Sequence, residues 1–449
     1  MSNLYITGKF VTSIKIGDTT LTEPNNRKAF YVAKLDSAGR VQWVKSQSGS
    51  ATAEVEGRRV RVDKTGNVYV GSKLKGGGIT FGGNALEAPP SSGENGFVVK
   101  YAQNGALIWA KTIINGTTGK TTVDDIAVDS VGNMHVVGKF EGTATVGNTT
   151  TRTLTSAGSE NFYVAKLDSA GKALWAFAPS ALTGTNKNGA KAVKIDPQGA
   201  VYAVGDFDTG IGFDASGNFN FTNAGKNSWV AKWTGAGVLT WVKTHIGATA
   251  SDEFRSDGLA VDNRGDVLAT GKFTRTITIG TLPAVTAESG KNTDLVKYTT
   301  AGVPVFLRAI LSASDIEGKS IEIDAAGKSI ICGSFRANAT LIGAGTLTYG
   351  GSLATKNLFI ARHASSMFVG NTSTRTRDLL DAQLNIFPNP TTDFLTLEWQ
   401  SATAVRHVAV HDAAGRAVYA QPIDPSAAPV LRVGDVSFTI GYLFFIAER

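Results

Sequence analysis

Residues 127–138 have the sequence Ala-Val-Asp-Ser-Val-Gly-Asn-Met-His-Val-Val-Gly, and close copies of this stretch recur along the first four fifths of the chain. Its aspartate returns at steps of 66, 67, 66 and 62 residues, each time with a glycine three positions later. A period of this kind is typical of repeat architectures. The five aspartate–glycine pairs are Asp63 and Gly66, Asp129 and Gly132, Asp196 and Gly199, Asp262 and Gly265, and Asp324 and Gly327.

Two further marks share this period. A cation occurs in each of six units, and an aromatic residue follows it nine positions later in the first five. The cations are Lys34, Lys100, Lys166, Lys232, Lys297 and Arg362. The aromatic residues are Trp43, Trp109, Trp175, Trp241 and Phe306. Three independent marks with one period exclude coincidence, so the chain contains six related units.

Each unit has the pattern of β structure. Short β-branched segments are bounded by Gly, Asn and Asp, and residues 1–363 show no sustained helical periodicity. In the unit quoted above we expect strand a near 123–128, strand b at 133–140, strand c at 161–167 and strand d at 172–177. The variable stretch between strands b and c, residues 141–160, is long enough for an extra hairpin.

Six copies of a small antiparallel sheet bury their faces most simply by stacking radially around an axis. The sequence therefore predicts an all-β protein with a six-bladed β-propeller over residues 1–363. The first unit starts at strand b, near Leu4, and the last ends at strand c, near Ile360. Both are expected to be incomplete. Either the terminal strands pair to close the ring or the chain starts late, and the lack of a first strand in unit 1 together with the lack of a visible signal peptide favours an N-terminus missing from this chain.

The repeated residues admit structural and functional interpretations. For the aspartates and their glycines we favour turn formation over metal binding or catalysis, because Asp can accept backbone N–H groups and Gly tolerates a positive φ. The cations could form one basic ring or pair with acidic groups, and we favour pairing. For the tryptophans we favour packing at the blade edge over stacking against sugars.

The repeats resemble a known family. The patterns Val-Asp-x-x-Gly-Asn-x-Tyr-Val-x-Gly and Phe-x-x-Ala-Lys-Leu-Asp-x-x-Gly-x-x-x-Trp are similar to the SBBP-type β-propeller repeats of secreted bacterial proteins. The resemblance covers about 360 residues. It implies the propeller architecture and no particular activity or ligand.

The C-terminal part is a different module. Residues 364–381 lack the repeat marks and are predicted to be a linker, and residues 382–449 are predicted to form a small β-sandwich. From residue 381 onward four arginines stand against seven acidic residues, so this part carries −3 and the rest of the chain +10.

The tail contains Phe-Pro-Asn-Pro at 387–390, Leu-Thr-Leu at 395–397, Asp-Ala-Ala-Gly-Arg at 412–416 and Gly-Tyr at 441–442. With these motifs it resembles the type A C-terminal sorting domain of the type IX (Por) secretion system of Bacteroidetes. The resemblance implies export across the outer membrane with the type IX machinery as partner, and then release or attachment at the outer face of a Gram-negative envelope. A signal peptide is not visible in this chain. The residues that match the family's motifs are Pro388, Asn389, Pro390, Asp412, Gly415, Arg416, Gly441 and Tyr442.

The composition and the residue patterns of the chain exclude several classes of protein. The 449 residues are 42% hydrophobic and carry a net charge of +7, and they contain no apolar run long enough to span a membrane. The single cysteine, Cys332, excludes an intrachain disulfide and a multi-cysteine metal site. The sequence has no basic run with interleaved aromatic residues, so it does not predict nucleic-acid binding. Asp206, Asp208 and Asp214 could hold calcium, but we favour a solvated loop. We expect no cofactor and no metal.

The sequence contains no Gly-x-Ser-x-Gly elbow, no phosphate-binding loop and no His-Glu-x-x-His motif. We therefore expect an exported, non-enzymatic and monomeric propeller for binding or display. Its variable b–c stretches would contact a glycan or another cell-surface ligand, in an adhesive or polysaccharide-contacting role. The alternative is a carbohydrate-active or other enzyme with its site at the mouth of the propeller channel. A purely structural spacer is a third interpretation.

Overall fold

The fold is known from a computed structural model. It describes residues 3–87, 93–116, 119–148, 150–156, 160–180, 187–214, 218–247, 249–324, 327–341, 345–347 and 356–363, and the course of six strands within 383–448. Every regular element in these ranges is a β-strand, as predicted. In the described part of the chain, no helix is long and apolar enough to cross a membrane.

Residues 3–363 form six antiparallel sheets in a six-bladed propeller arrangement, which confirms the predicted architecture. Blade 1 contains β1 (Leu4–Phe10), a hairpin of β2 (Ser13–Ile16) and β3 (Thr19–Thr22), and then β4 (Ala29–Leu35) and β5 (Val41–Gln47). Blade 2 contains β6 (Glu54–Val62), β7 (Val68–Lys75), a hairpin of β8 (Gly78–Phe81) and β9 (Asn84–Glu87), and then β10 (Glu94–Tyr101) and β11 (Leu107–Gly116). Blade 3 contains β12 (Asp125–Val128), β13 (Met134–Phe140), a hairpin of β14 (Thr143–Val146) and β15 (Arg152–Thr155), and then β16 (Asn161–Leu167) and β17 (Ala173–Phe177).

The remaining blades follow the same order. Blade 4 contains β18 (Asn188–Ile195), β19 (Val201–Gly212), β20 (Asn220–Trp233) and β21 (Leu239–His245). Blade 5 contains β22 (Phe254–Val261), β23 (Val267–Phe273), a hairpin of β24 (Thr276–Ile277) and β25 (Val285–Thr286), and then β26 (Thr293–Tyr298) and β27 (Pro304–Ser312). Blade 6 contains β28 (Ile316–Ile323), β29 (Ser329–Phe335), a hairpin of β30 (Ala339–Leu341) and β31 (Gly345–Leu347), and then β32 (Asn357–His363).

Blades 1 and 6 have three main strands among the described residues, whereas blades 2 to 5 have four. The described part of blade 1 lacks strand a, so its order from the axis outward is β1, β4, β5. The described part of blade 6 lacks strand d, so its order is β28, β29, β32. These are the two ends at which the sequence predicts incomplete units.

Two of the hairpins predicted in the b–c stretches pair outside their own blade. Hairpin β14–β15 adds to β11 of blade 2, with Ile114 opposite Val146. Hairpin β30–β31 adds to β27 of blade 5 in the same way. Both receiving strands are long enough to extend beyond their own blade, and backbone hydrogen bonds therefore join neighbouring blades there.

The core lies between the blades. Successive side chains of a strand point to opposite faces, so each blade packs against both of its neighbours. In β16, Phe162 belongs to a cluster shared with blade 4, whereas Tyr163 belongs to one shared with blade 2, and both are fully buried. Burial of a large side chain contributes roughly 1.5–3 kcal/mol, so these contacts make the wheel more stable than an isolated sheet.

The C-terminal strands form two three-stranded antiparallel sheets. One has the order β33 (Gln383–Phe387), β34 (Phe394–Gln400), β37 (Val430–Gly434), and the other β36 (Ala417–Pro422), β35 (His407–His411), β38 (Phe444–Glu448). The packing of the predicted sandwich and the linker at 364–381 lie outside the described residues.

Candidate functional site

The innermost strands enclose one central channel of about 890 Å³, lined by residues of all six blades. Strand a of blades 2 to 6 and β1 of blade 1 supply most of its wall. The wall carries many charged side chains of both signs. The channel is therefore the natural place to look for chemistry in this fold.

A β-bulge recurs in the innermost strands and directs one charged residue into the channel. In β6 the pairing register shifts between Gly57 and Arg59, which leaves Arg58 as the extra residue. The same shift occurs in β18, β22 and β28, and Asp124 takes the equivalent place just before β12. Bulges re-aim side chains in this way. The resulting bulge ring consists of Arg58, Asp124, Lys191, Asp257 and Lys319, all of which line the channel.

Charges alternate from Arg58 to Lys319 along the bulge ring, and four of its five members form two ion pairs between neighbouring blades. Arg58 pairs with Asp124 of the next blade, and Lys319 Nζ lies 2.9 Å from an Asp257 carboxylate oxygen. Lys191 instead lies 3.3 Å from Asp206 on strand b of its own blade. Burial alone would lower the pKa of Lys319, but the carboxylates of Asp257 and Glu317 hold this pKa above its usual value.

A second layer of charges links blades further apart. Asp125 accepts hydrogen bonds from Arg61 of blade 2 at 2.9 Å and from the backbone N–H of Val193 in blade 4 at 3.0 Å. Lys194 of blade 4 pairs with Glu322 of blade 6. These channel charges thus satisfy one another across the blades, which is the arrangement that partly buried ions require.

The repeated aspartates lie in the a–b turns. Asp129 Oδ1 accepts the backbone N–H groups of Val131 at 3.1 Å and Asn133 at 2.8 Å, while Gly132 has φ +86°. The Asp–Gly pairs of the other four turns also have the glycine at positive φ. The turns lie at one end of the blades, and none of these aspartates lines the channel.

The repeated tryptophans join one blade to the next. Trp175 Nε1 donates to the Gly235 carbonyl in the c–d turn of the following blade at 3.1 Å. In the same turn Gly237 has φ +86°, and a Cβ added there would lie 2.7 Å from the Trp175 ring. Trp43 and Trp241 make the equivalent bond, to Gln103 and Thr300 respectively. Glycine in this turn is thus required by both the backbone and the neighbouring ring.

The repeated cations do not gather in the channel. Three of them lie within 4.0 Å of an acid of their own blade, as we expected: Lys166 with Asp129, Lys297 with Asp266 and Arg362 with Asp324. For Lys34 and Lys232 the expectation of an acidic partner is wrong, whereas the Asp63 carboxylate of the same blade opposes the lowering of the Lys100 pKa by burial. Lys34 and Lys232 donate to the same turn carbonyls that Trp43 and Trp241 use, and Lys100 lies over the Tyr69 ring.

The acidic set in blade 4 does not converge on a metal site. Asp206 is held by Lys191 and by Arg255 at 2.8 Å, whereas Asp214 accepts the backbone N–H of Phe219. Burial raises the pKa of Asp208. Within the ranges described, no group of three or more His, Cys, Asp or Glu side chains is placed to hold a metal ion. Cys332 is buried in β29, and burial raises the pKa of its thiol to about 12.

Most of the C-terminal strands lie in a segment of the chain that matches the model of a known protein family. The model of the secretion system C-terminal sorting domain matches residues 385–434. The chain therefore combines a six-bladed propeller with a type IX sorting tail, which makes it an exported protein with a secreted or cell-surface fate and involves the type IX machinery. The tail residues predicted from the motifs, Pro388, Asn389, Pro390, Asp412, Gly415, Arg416, Gly441 and Tyr442, lie outside the described residues.

Several solved structures are similar to the chain at low identity. A protein of unknown function from Bacteroides caccae is 10% identical, with a TM-score of 0.31 over 80% of this chain and 98% of that one. A protein of unknown function from Dyadobacter fermentans DSM 18053 is 11% identical, with a TM-score of 0.38 over 79% and 94%. Sqt1 from Chaetomium thermophilum is 10% identical, with a TM-score of 0.23 over 74% and 90%. No curated protein matches the chain significantly.

Proposed function

We propose that this protein is a non-enzymatic binding or display protein, monomeric and held at or released from the outer face of a Gram-negative envelope. Its contact surface is the hairpin face, which we define as the outward-facing side of the b–c hairpins. Its ligand is polar, and a polysaccharide or another cell-surface glycan fits best. The resemblance of the repeats to the SBBP type of secreted bacterial proteins is in keeping with this proposal.

The observation that carries the proposal is the alternation within the hairpins. In β14–β15, Val146 and Leu154 are buried, whereas Thr153 and Thr155 are exposed. In β2–β3, Ile16 is buried and Thr20 is exposed. The hairpins thus anchor themselves by apolar side chains and present hydroxyl groups outward, where they can exchange hydrogen bonds with a glycan.

The mutual pairing of the channel charges supports a role without catalysis. General acid–base work needs a carboxyl group or base that is free to meet a substrate. Asp124, Asp125 and Asp257 are each engaged by a cation of a neighbouring blade. An enzyme at the channel mouth would have to disrupt these pairs.

A glycan array with the purified full chain tests the proposal, together with hydrolysis assays on every glycan that binds. We expect binding without turnover. Thr20→Glu on the hairpin face should weaken binding, whereas Ser130→Glu, in the exposed a–b turn of blade 3 and outside the hairpins, should not. Turnover would replace the proposal by the enzyme alternative, and the absence of any bound glycan would contradict it.

A further inference from the structure

One end of the propeller combines exposed apolar side chains with exposed positive charge. We define the turn end as the a–b turns of blades 2 to 5 and the c–d turns of blades 1 to 5, which lie at the same end of their sheets because consecutive strands are antiparallel. In blade 5 the backbone N–H of Thr300, in the c–d turn, donates to Asp266, in the a–b turn, at 3.1 Å. Trp175 and Trp241 each donate to the c–d turn of the following blade, so neighbouring turns form one surface.

Among the described residues, the three most exposed large hydrophobic side chains all lie in these turns. Val131 in the a–b turn of blade 3 is 75% exposed, Val238 in the c–d turn of blade 4 is 63% exposed, and Val303 in the c–d turn of blade 5 is 57% exposed. Single exposed apolar residues are common on protein surfaces, but these three lie on consecutive blades at one end. Because surface turns are ordinarily polar, three valines here indicate contact with an apolar environment.

The exposed charges of the turn end are all positive. The exposed charged residues of these turns are Arg40, Lys64, Lys172 and Arg264. The aspartates that open the turns are buried or half-buried, because they accept N–H groups of their own turns. Asp168 Oδ1, for example, accepts the backbone N–H groups of Ala170 and Lys172 at 2.9 Å each. The turns thus hold their acids inward, whereas the cations extend into solvent.

This combination favours a lipid surface with anionic headgroups over other partners. Lysine and arginine are attracted to an anionic surface, and aliphatic side chains leave water when they enter the region beneath the headgroups. A soluble polyanion, such as an acidic polysaccharide, would be attracted by the cations but would leave the valines in water. A protein interface has a continuous apolar core, whereas Val131, Val238 and Val303 lie on three different blades.

We propose that the turn end binds the surface of an anionic lipid bilayer, with its three exposed valines in the headgroup region and its exposed cations at the phosphate groups. The association is peripheral and reversible, since three valines bury far less apolar surface than a lipid anchor or a membrane-spanning helix. The b–c hairpins leave from the opposite ends of the strands. The proposal therefore does not depend on the glycan proposed for the hairpin face.

Sedimentation of the purified full chain with lipid vesicles tests the proposal. We expect binding to vesicles of phosphatidylcholine with about one third phosphatidylglycerol, little binding to phosphatidylcholine alone, and weaker binding as the salt concentration rises. Val131→Asp with Val238→Asp should weaken binding to the anionic vesicles at least about tenfold. The matched control is Val11→Asp with Ile246→Asp, which changes the charge equally at two exposed aliphatic residues of the opposite end and should leave binding unchanged.

A further pair of substitutions tests the cations separately. Lys64→Gln with Lys172→Gln should weaken binding to the anionic vesicles about fivefold per lysine and reduce its dependence on salt. Urea denaturation of every variant checks that it is folded. Equal binding to neutral and anionic vesicles, no binding, or an equal loss in the two aspartate pairs would each overturn the proposal. Binding to a soluble acidic polysaccharide that matches vesicle binding and survives the valine substitutions would also overturn it, in favour of a polyanion.

Discussion

His135 occupies a position that tyrosine holds in blades 1, 2 and 4. Tyr69 and Tyr202 each donate a hydroxyl to the aspartate of their own a–b turn, Asp63 at 3.2 Å and Asp196 at 2.9 Å. His135 is 1% exposed, and within the described structure neither of its ring nitrogens has a hydrogen-bond partner. An unpaired buried polar group costs free energy, so this blade is less stable than its neighbours at this point.

We therefore expect His135→Tyr to stabilise the protein. The new hydroxyl should reach Asp129 as Tyr69 reaches Asp63, and Lys166 should lie over the ring as Lys100 lies over Tyr69. The expected gain in the free energy of unfolding is about 1 kcal/mol, measured by urea denaturation. His135→Phe is the control that has the ring without the hydroxyl. A tyrosine variant no more stable than the phenylalanine variant would contradict this account.

The same residue predicts a dependence of stability on pH. Burial lowers the pKa of His135 to about 4, whereas an unfolded histidine titrates near 6.5. Between these values the unfolded chain binds a proton that the folded chain excludes, so stability is lost as the pH falls from about 6.5 to 4. Burial raises the pKa of Asp294 to about 7, which acts in the opposite sense over this range.

Comparison of the wild type with His135→Tyr isolates the contribution of His135 to the dependence of stability on pH. The advantage of His135→Tyr over the wild type should grow as the pH is lowered from 6.5 to 4, by at most roughly 3 kcal/mol, and should be constant above pH 7. Denaturation at a series of pH values measures it. An advantage that shrinks toward pH 4 would show that His135 is not buried in its neutral form.

At the scale of elements, the c–d turn of blade 4 packs against Trp175, the tryptophan of the preceding blade. Gly237→Ala forces a side chain into a turn at φ +86° and against the Trp175 ring. Gly39→Ala is the matched control, because Gly39 occupies the same turn in blade 1 at φ +75° with no atom within 4 Å of an added Cβ. The conformation alone costs about 1 kcal/mol in each variant.

Crowding at the ring should add a further 1–3 kcal/mol to Gly237→Ala alone. Thermal or urea unfolding of both variants measures the difference. Trp175→Phe in the Gly237→Ala background should recover part of the loss, because the smaller ring leaves room for the methyl group. Equal destabilisation by the two alanines would mean that the turn glycine is required only for its φ.

The strands were the most predictable part of the molecule, because each is a local pattern repeated with a fixed period. The expected strand b at 133–140 and strand c at 161–167 agree with Met134–Phe140 and Asn161–Leu167 to within a residue. The pairing of hairpin β14–β15 with blade 2 was not predictable, since it depends on the three-dimensional position of the neighbouring sheet rather than on a local pattern.

The bulge ring was missed for a related reason. Arg58, Asp124 and Lys191 share one repeat position but not one residue type, so they leave no mark in a search for identical residues. The signal that could have found them is a charge that changes sign from unit to unit at a fixed step. Trp175 was recognised as a repeat mark, but its acceptor, Gly235, lies in the next unit and became visible only in the structure.

At the scale of the whole molecule, the sorting tail is a module separate from the propeller in sequence. The family match ends at residue 434, but β38 (Phe444–Glu448) lies beyond it and pairs along the whole of β35, from His407 opposite Glu448 to His411 opposite Phe444. Removal of β38 would leave β35 as an open strand edge. We therefore expect export to need residues beyond the matched segment.

A reporter protein with an added signal peptide tests this in a host that has the type IX system. Fusion to residues 382–449 should send the reporter to the medium or the cell surface, whereas fusion to residues 382–434 should leave it in the periplasm. A host without the type IX system is the control for both. Because a tail without β38 could be degraded, immunoblots of the periplasm must show the shorter fusion intact. Equal export of the two fusions would show that the matched segment is sufficient and that β38 serves stability alone.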